Sequence, residues 1–146
     1  MYEIERYRTI AIMADSAEGP DEYANLNYST ARFIAIYHHD TTKDAAKSRK
    51  PAAPEEDYVD FHPVIQSPDT TDLDIAKQVV ETGETILLAT GMEKDALEYL
   101  ESNGVRVFRS VAMSLFDNYR AWADSTLFDL WEWQYKEPNP FRIIQR

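Results

Sequence analysis

The chain has 146 residues and a mass of 16.9 kDa, room for one domain with a real core but not for two ordinary ones. Its 44% hydrophobic and 28% charged residues are the balance of a folded protein, and the absence of cysteine excludes disulfides, thiolate metal ligands and cysteine nucleophiles. A formal net charge of −11 argues against a direct grip on nucleic acid or an anionic membrane. No apolar run approaches the ~20 residues of a membrane span, and the polar stretch Met1 to Arg8 is no secretory signal, so a cytoplasmic protein is expected.

In chain order, the apolar run Thr9 to Ala14, continuing from Tyr2, predicts a buried strand, followed by a polar loop from Asp15 to Asn25. Phe33 to Tyr37 is a second short run rich in apolar and β-branched residues, a strand ended by His38, His39 and Asp40. Thr41 to Glu56 is predicted as a long loop, with room for a short helix over Lys43–Ser48 that Pro51 and Pro54 prevent from extending. Tyr58 to Ile65 alternates apolar and polar residues, and Pro63 places that strand at an edge or a bulge.

From here the rhythm becomes helical. Thr71 and Asp74 form a capping-box start; Leu73, Ala76, Val79 and Val80 recur at helical spacing, and Gly83 is the stop. Thr85 to Thr90 is continuously apolar inside, the mark of a strand covered on both faces. Thr90 and Glu93 open a second helix, with Met92, Ala96, Tyr99 and Leu100 inward and Gly104 as its stop. Val105 to Phe108 is a short strand. Ser110 caps a third helix through Trp122, and Asp124–Thr126 breaks it and caps a fourth that runs to about Tyr135, where Pro138 and Pro140 end regular structure. The order β-β-β-α-β-α-β-α predicts a mixed five-stranded α/β sheet with helices packed on it. A single domain is expected over 1–146, divided into an α/β core over 1–122 and an aromatic C-terminal extension over 123–146.

These elements resemble the dinitrogenase iron–molybdenum cofactor-binding family, accessory proteins of ribonuclease-H-like fold. Asn27-Tyr28-Ser29 stands where that family carries a His-Phe-Gly motif. Phe33-Ile34-Ala35-Ile36-Tyr37 resembles the strand that follows it, Gly91 one of its turn glycines, and Leu100 through Val107 its helix ending Leu-x-x-x-Gly-Val and next strand. The resemblance spans about Thr9 to Trp122. It implies a ribonuclease-H-like fold, a ligand site near Asn27, Tyr28, Ser29 and Gly91, and a carrier role resembling nitrogenase cofactor chaperones. The chain departs from the pattern at the motif itself: Asn27 replaces the histidine and Ser29 the glycine, and the cysteines that some members use are absent. A soft metal cluster prefers thiolate or imidazole ligands, which this motif no longer supplies.

The residues also raise other chemistries. His38, His39 and His62 are the only imidazoles in the chain. Adjacent strand residues point to opposite faces, so His38 and His39 cannot share one ion from a regular strand, and no ligand spacing marks a metal site. Asp15, Asp40 and Asp60 end or occupy strands, as the acids of a metal-dependent hydrolase do; that alternative needs Asp15, Asp40 and a histidine together. The turn Thr90-Gly91-Met92 precedes a helix N-terminus and can present backbone N–H groups to an anion. Residues 67–104 hold nine acids and two bases, and an alternative role as an acidic inhibitor or immunity-type protein, one that blocks a basic site or mimics nucleic acid, needs a contiguous face of Asp72, Glu81, Glu93, Asp95, Glu98 and Glu101. All three tryptophans lie between Trp122 and Trp133, and Phe128, Trp131 and Tyr135 share a helical face. Trp122, Trp133, Tyr135 and Phe141 are therefore candidate anchors for a protein partner or a second copy. With no catalytic motif and no cofactor required by these residues, the expected function is that of a non-catalytic binding or accessory protein acting through protein–protein contact.

Overall fold

The computed structural model describes residues 7–42 and 57–136. The proposed helix over Lys43–Ser48, the start of the first strand before Tyr7, and Pro138, Pro140 and Phe141 lie outside them. Five strands, β1 (Tyr7–Ala14), β2 (Phe33–Asp40), β3 (Tyr58–Pro63), β4 (Ile86–Ala89) and β5 (Arg106–Arg109), form one mixed sheet in the order β3-β2-β1-β4-β5. β1 pairs antiparallel with β2, and β2 with β3; β1 pairs parallel with β4, and β4 with β5. This is the mixed five-stranded α/β sheet that the element order predicts. Among the described residues the α-helices are α1 (Asp72–Glu81), α2 (Lys94–Ser102), α3 (Leu115–Ala123) and α4 (Leu130–Tyr135). A 3-10 turn at Tyr28–Thr30 leads into β2.

Alternation along the strands divides the core between the two faces. Ala11, Met13, Ile34, Ile36, Leu87, Ala89 and Val107 meet Ile75, Ala76 and Val79 of α1, Ala96, Leu97 and Leu100 of α2, and Leu130 and Trp131 of α4. Ile10, Ile12, Ala35, Tyr37 and Leu88 meet Leu115, Phe116 and Tyr119 of α3 on the other. β4 contributes to both cores, which is why its sequence is apolar without alternation. Leu130 and Trp131, in the segment that the sequence divides off as an extension, are fully buried in the first of these cores.

The α1 capping box forms as predicted: Thr71 Oγ1 accepts from the Asp74 amide at 3.1 Å, and Asp74 Oδ2 accepts from the Thr71 amide at 3.0 Å. Gly83 and Gly104, both at φ +84°, end α1 and α2 in the left-handed region that glycine enters without strain.

Three predicted caps move. The N-cap of α2 is Glu93, not Thr90, and its side chain makes no capping bond. The N-cap of α3 is Ser114, not Ser110: the Ser110 amide donates to Ala89 O, continuing the β5 ladder, and Asn118 binds Val111 N and the carbonyls of Val111, Met113 and Ser114, holding that segment out of the helix. The N-cap of α4 is Asp129, because the Arg109 amide donates to Phe128 O and Phe108 bridges Asp129, so the preceding residues lie along the sheet edge. Phe128 consequently precedes α4 and is exposed instead of joining Trp131 in the core. β2 also runs past its predicted end through His38, His39 and Asp40, which pair with Thr9, Arg8 and Tyr7. β3 stops at Pro63, and Ile65 is exposed.

Candidate functional site

The carboxyl ends of β1 and β4 lie side by side. β1 leads toward β2 on one side and β4 leads through α2 to β5 on the other, so the two chains diverge above the sheet. Open α/β sheets bind ligands at this kind of point.

Asp72, the first residue of α1, joins three elements there. Its Oδ1 accepts from Ser29 Oγ at 2.7 Å, its Oδ2 from the Glu93 amide at 2.9 Å, and its carbonyl from the Tyr28 hydroxyl at 3.3 Å. The 3-10 turn is thereby tied to the starts of α1 and α2. Tyr28 is buried behind this junction; burial first, and the Asp72 carboxylate second, push its hydroxyl far above the ordinary tyrosine range, so it stays a donor. Asn27 caps the turn by accepting from the Ser29 amide at 3.2 Å. Asn25, buried beside it, donates to Asp15 Oδ1 at 2.7 Å and accepts from the Asn27 amide at 2.9 Å.

α4 closes the other side of the turn after β4. Gln134 accepts from the Met92 amide at 3.2 Å and donates to Met92 O at 2.7 Å, and the Tyr135 hydroxyl donates to Met92 O at 2.9 Å. Burial, with smaller contributions from the acids Glu93, Asp72, Asp95 and Glu98, raises the Tyr135 pKa. These bonds correct the expectation for the Gly91 turn: the Met92 and Glu93 amides already donate to Gln134 and Asp72 and are not offered to an anion.

Ser29 and the Gly91 turn, far apart in sequence, thus meet through Asp72. The other sequence candidates do not converge. Ala14, next to Asp15, pairs with Phe33, whereas Asp40 pairs with Tyr7, so the two acids lie at opposite ends of the sheet, Ala14 alone being roughly 23 Å along β1 from Tyr7 at ~3.3 Å per residue. Asp15, Asp40 and one histidine therefore form no shared hydrolase site. His38 and His39 face opposite sides; His38 bonds Asp60 at 2.9 Å and stacks on Tyr58, and His39 bonds Asp57 at 3.1 Å. His62 pairs with Ile34, about 13 Å along the sheet from His38. Among the described residues no three His, Asp or Glu side chains are grouped to hold a metal ion.

The proposed acidic face is interrupted as well. Asp72 and Glu101 are buried, leaving Glu81, Glu93 and Asp95 exposed and Glu98 half-buried. Of the aromatic candidates, Trp122 packs against the α3-side core 5.9 Å from Tyr119, and Tyr135 is committed to Met92 and to Trp131 at 5.2 Å. Among the described candidates only Trp133, 45% exposed, presents a broad surface, its ring 4.2 Å beneath the Arg109 guanidinium. Tyr23, Leu26 and Met113 are also exposed near the carboxyl end of β1, with the Ala24 amide donating to Met113 O. Sequence reading passed over these three because they sit in loops without periodicity, and passed over Gln134 because a lone glutamine carries no motif.

The donor set at this edge does not fit a metal cluster held by imidazole or thiolate. Asn27 and Ser29 are hard donors already bonded to neighbours, and His62 stands two strands, about 10 Å, from β1.

No family model matches the chain, and no curated protein sequence matches it significantly. Solved structures do match. The apo form of the orange protein from Desulfovibrio gigas has a TM-score of 0.61 at 12% identity, covering 88% of this chain and 95% of that one. A candidate NifB protein from Thermotoga has a TM-score of 0.56 at 16% identity, covering 83% of this chain and 91% of its own. A candidate dinitrogenase from Methanocaldococcus jannaschii has a TM-score of 0.54 at 9% identity, covering 87% and 97%. The chain shares its fold with these NifB-like and dinitrogenase-like proteins at low sequence identity. No helix among the described residues is long and apolar enough to cross a membrane.

Proposed function

We propose that this protein is a non-catalytic accessory protein that carries a small ligand at the carboxyl edge of β1 and β4 and acts by contact with a protein partner. The observation that carries the reading is the junction at Asp72, which fixes the exposed Asn27–Ser29 turn against the Gly91 turn at the divergence point of a sheet shared with a protein solved as an apo form. Asn27, Ser29 and Gly91 line the ligand, and Tyr28 supports them from behind. The fold of the neighbours supports a carrier, whereas the altered motif points away from a metal cluster as the cargo. Trp133 is the proposed partner anchor, since an exposed indole keeps a large apolar face for an interface. Buried Asp72 and Glu101 weigh against the acidic-inhibitor reading.

The test is native mass spectrometry of the protein purified from its own host, compared with its denatured mass. A retained small mass that is lost in Ser29→Ala or Asp72→Asn is the expected result. A chain that comes out bare, and that captures no partner through Trp133, overturns the reading.

A further inference from the structure

Arg109 ends β5 on the α4 side of the sheet, paired in register with Ala89 of β4 and so next to the Gly91 turn. Its guanidinium carbon lies 4.2 Å over the Trp133 ring. Among the described residues its buried Nε has no hydrogen-bond partner and no ion pair engages the side chain. This is not for want of acids, because the chain has 26 of them against 15 Lys and Arg. Arg106, three residues earlier, does what an arginine in such a chain ordinarily does: its Nε pairs with Asp129 at 3.2 Å. A second donor on the same side lacks an acceptor too, the fully buried Trp131 Nε1 of α4.

A buried donor without an acceptor destabilises the fold that holds it, and Arg109 Nε is such a donor. Stacking on an indole satisfies one face of the guanidinium but none of its N–H groups, which lie in the ring plane of the group and match the oxygens of a carboxylate or phosphate in pairs. We propose that Arg109 and Trp133 form an oxyanion-binding subsite at the carboxyl edge of β5, which takes a carboxylate or phosphoryl group of the ligand. The inference rests on the carrier reading and deepens it: the cargo is an anion, held beside the Gly91 turn by a cationic fork left unpaired among the described residues. Gln134, adjacent to Trp133, would meet a Cβ placed on Gly91 at 3.4 Å, so the turn and the subsite adjoin. Trp133 then serves as the floor of the subsite, and a partner that contacts it covers the ligand.

The test titrates the full chain with inorganic phosphate and, separately, with citrate at constant ionic strength, following thermal melting and tryptophan emission. At least one anion is expected to raise the melting temperature and change the emission, and Trp133→Phe is expected to remove most of that change. The anion that responds tells a phosphoryl site from a carboxylate site. Arg109→Lys, which keeps the charge but loses the fork, is expected to bind about tenfold more weakly. Arg109→Met is expected to lose the response and, in anion-free buffer, to melt no lower than the parent, because it removes an unsatisfied donor. A purely structural arginine gives the opposite sign, a lower melting temperature and an undiminished anion response. No response to either anion, or wild-type binding in Arg109→Lys, overturns the proposal. The two readings fail separately. A host-derived ligand retained by Arg109→Met sinks the subsite and leaves the carrier standing; anion binding at Arg109 in a chain that comes from its host bare leaves the subsite and sinks the carrier.

Discussion

The two ends of the sheet are both polar, and they are polar in different ways. At the far end, where β2 finishes, Asp57 is buried among groups that all use it. Its Oδ2 accepts from the Tyr37 hydroxyl at 2.7 Å and lies 3.1 Å from His39 Nδ1, and its Oδ1 accepts from the Asp40 amide at 3.0 Å. An ionised carboxylate only accepts, so Nδ1 carries the proton of that bond. Burial first, then the bond to Asp57, holds the Tyr37 hydroxyl far above the ordinary range and keeps it protonated. Tyr119 stacks on both Tyr37, at 5.0 Å, and His39, at 4.8 Å. At the near end, by contrast, donors remain over: among the described residues Arg109 Nε, Ser110 Oγ and Trp131 Nε1 are buried without acceptors. A closed polar cluster stabilises one conformation, whereas the unsatisfied donors of the near end are what the proposed anion subsite rests on.

The far end should therefore yield the largest loss of stability and no loss of binding. Asp57→Ala strands a buried hydroxyl, an imidazole N–H and a backbone amide together, and about 3 kcal/mol or more of unfolding free energy should disappear in urea titration. Anion binding in the surviving folded fraction should be unchanged. A loss below about 1 kcal/mol would mean that water reaches this cluster and that the contrast between the ends is wrong. Asp72→Ala comes next, at about 2 kcal/mol, since it releases Ser29 Oγ and the Glu93 amide near the surface, where water replaces part of each bond. Asp72→Asn keeps an acceptor oxygen and should cost less. Unlike Asp57→Ala, both should also weaken ligand retention, because the Ser29 and Gly91 turns lose their common anchor. Gln134→Ala should cost about 1 kcal/mol and is read best as faster hydrogen exchange at the Met92 amide.

The asymmetry explains how far the sequence could be read. The strands were legible because β1, β2 and β4 are buried and their apolar runs are short and cleanly bounded; the α1 capping box was legible because it is local. What failed were caps whose rivals lie far along the chain. Ser110 looks like an N-cap until β4 claims its amide, and Asp124–Thr126 looks like one until the next residues pair along β5. The site divides in the same way. Ser29 and Gly91 could be named from a family pattern, but the residue that joins them, Asp72, was indistinguishable from the solvated acids around it, since only a contact 43 residues distant buries it. Arg109 was invisible for a related reason: what marks it is a missing partner, and sequence gives no list of partners. The histidines and aspartates weighed as metal ligands are separated by register, which single residues do not reveal.

The smallest expected effect sits between these extremes, on a fully exposed bond. The Thr71 amide, first, and the Thr71 hydroxyl, second, stabilise the Asp74 carboxylate, with Lys77 adding a little, so its pKa lies below the ordinary value. A group whose folded pKa is depressed contributes its stabilisation above its unfolded pKa and loses it as pH falls through the folded value. Stability should accordingly decline as pH drops below about 4, with Asp74→Asn removing that part of the slope while leaving the neutral-pH fold intact. Thr71→Ala should cost about 1 kcal/mol at neutral pH and blunt the same slope, because one of the two reciprocal bonds is gone. Urea titrations at several pH values separate the two variants. Because α1 begins at Asp72, fraying of this cap would also reach the Ser29 turn proposed to line the ligand. Acidification should therefore loosen the near end before the far one, seen as hydrogen exchange rising first at the Ser29 and Glu93 amides while β2 stays protected.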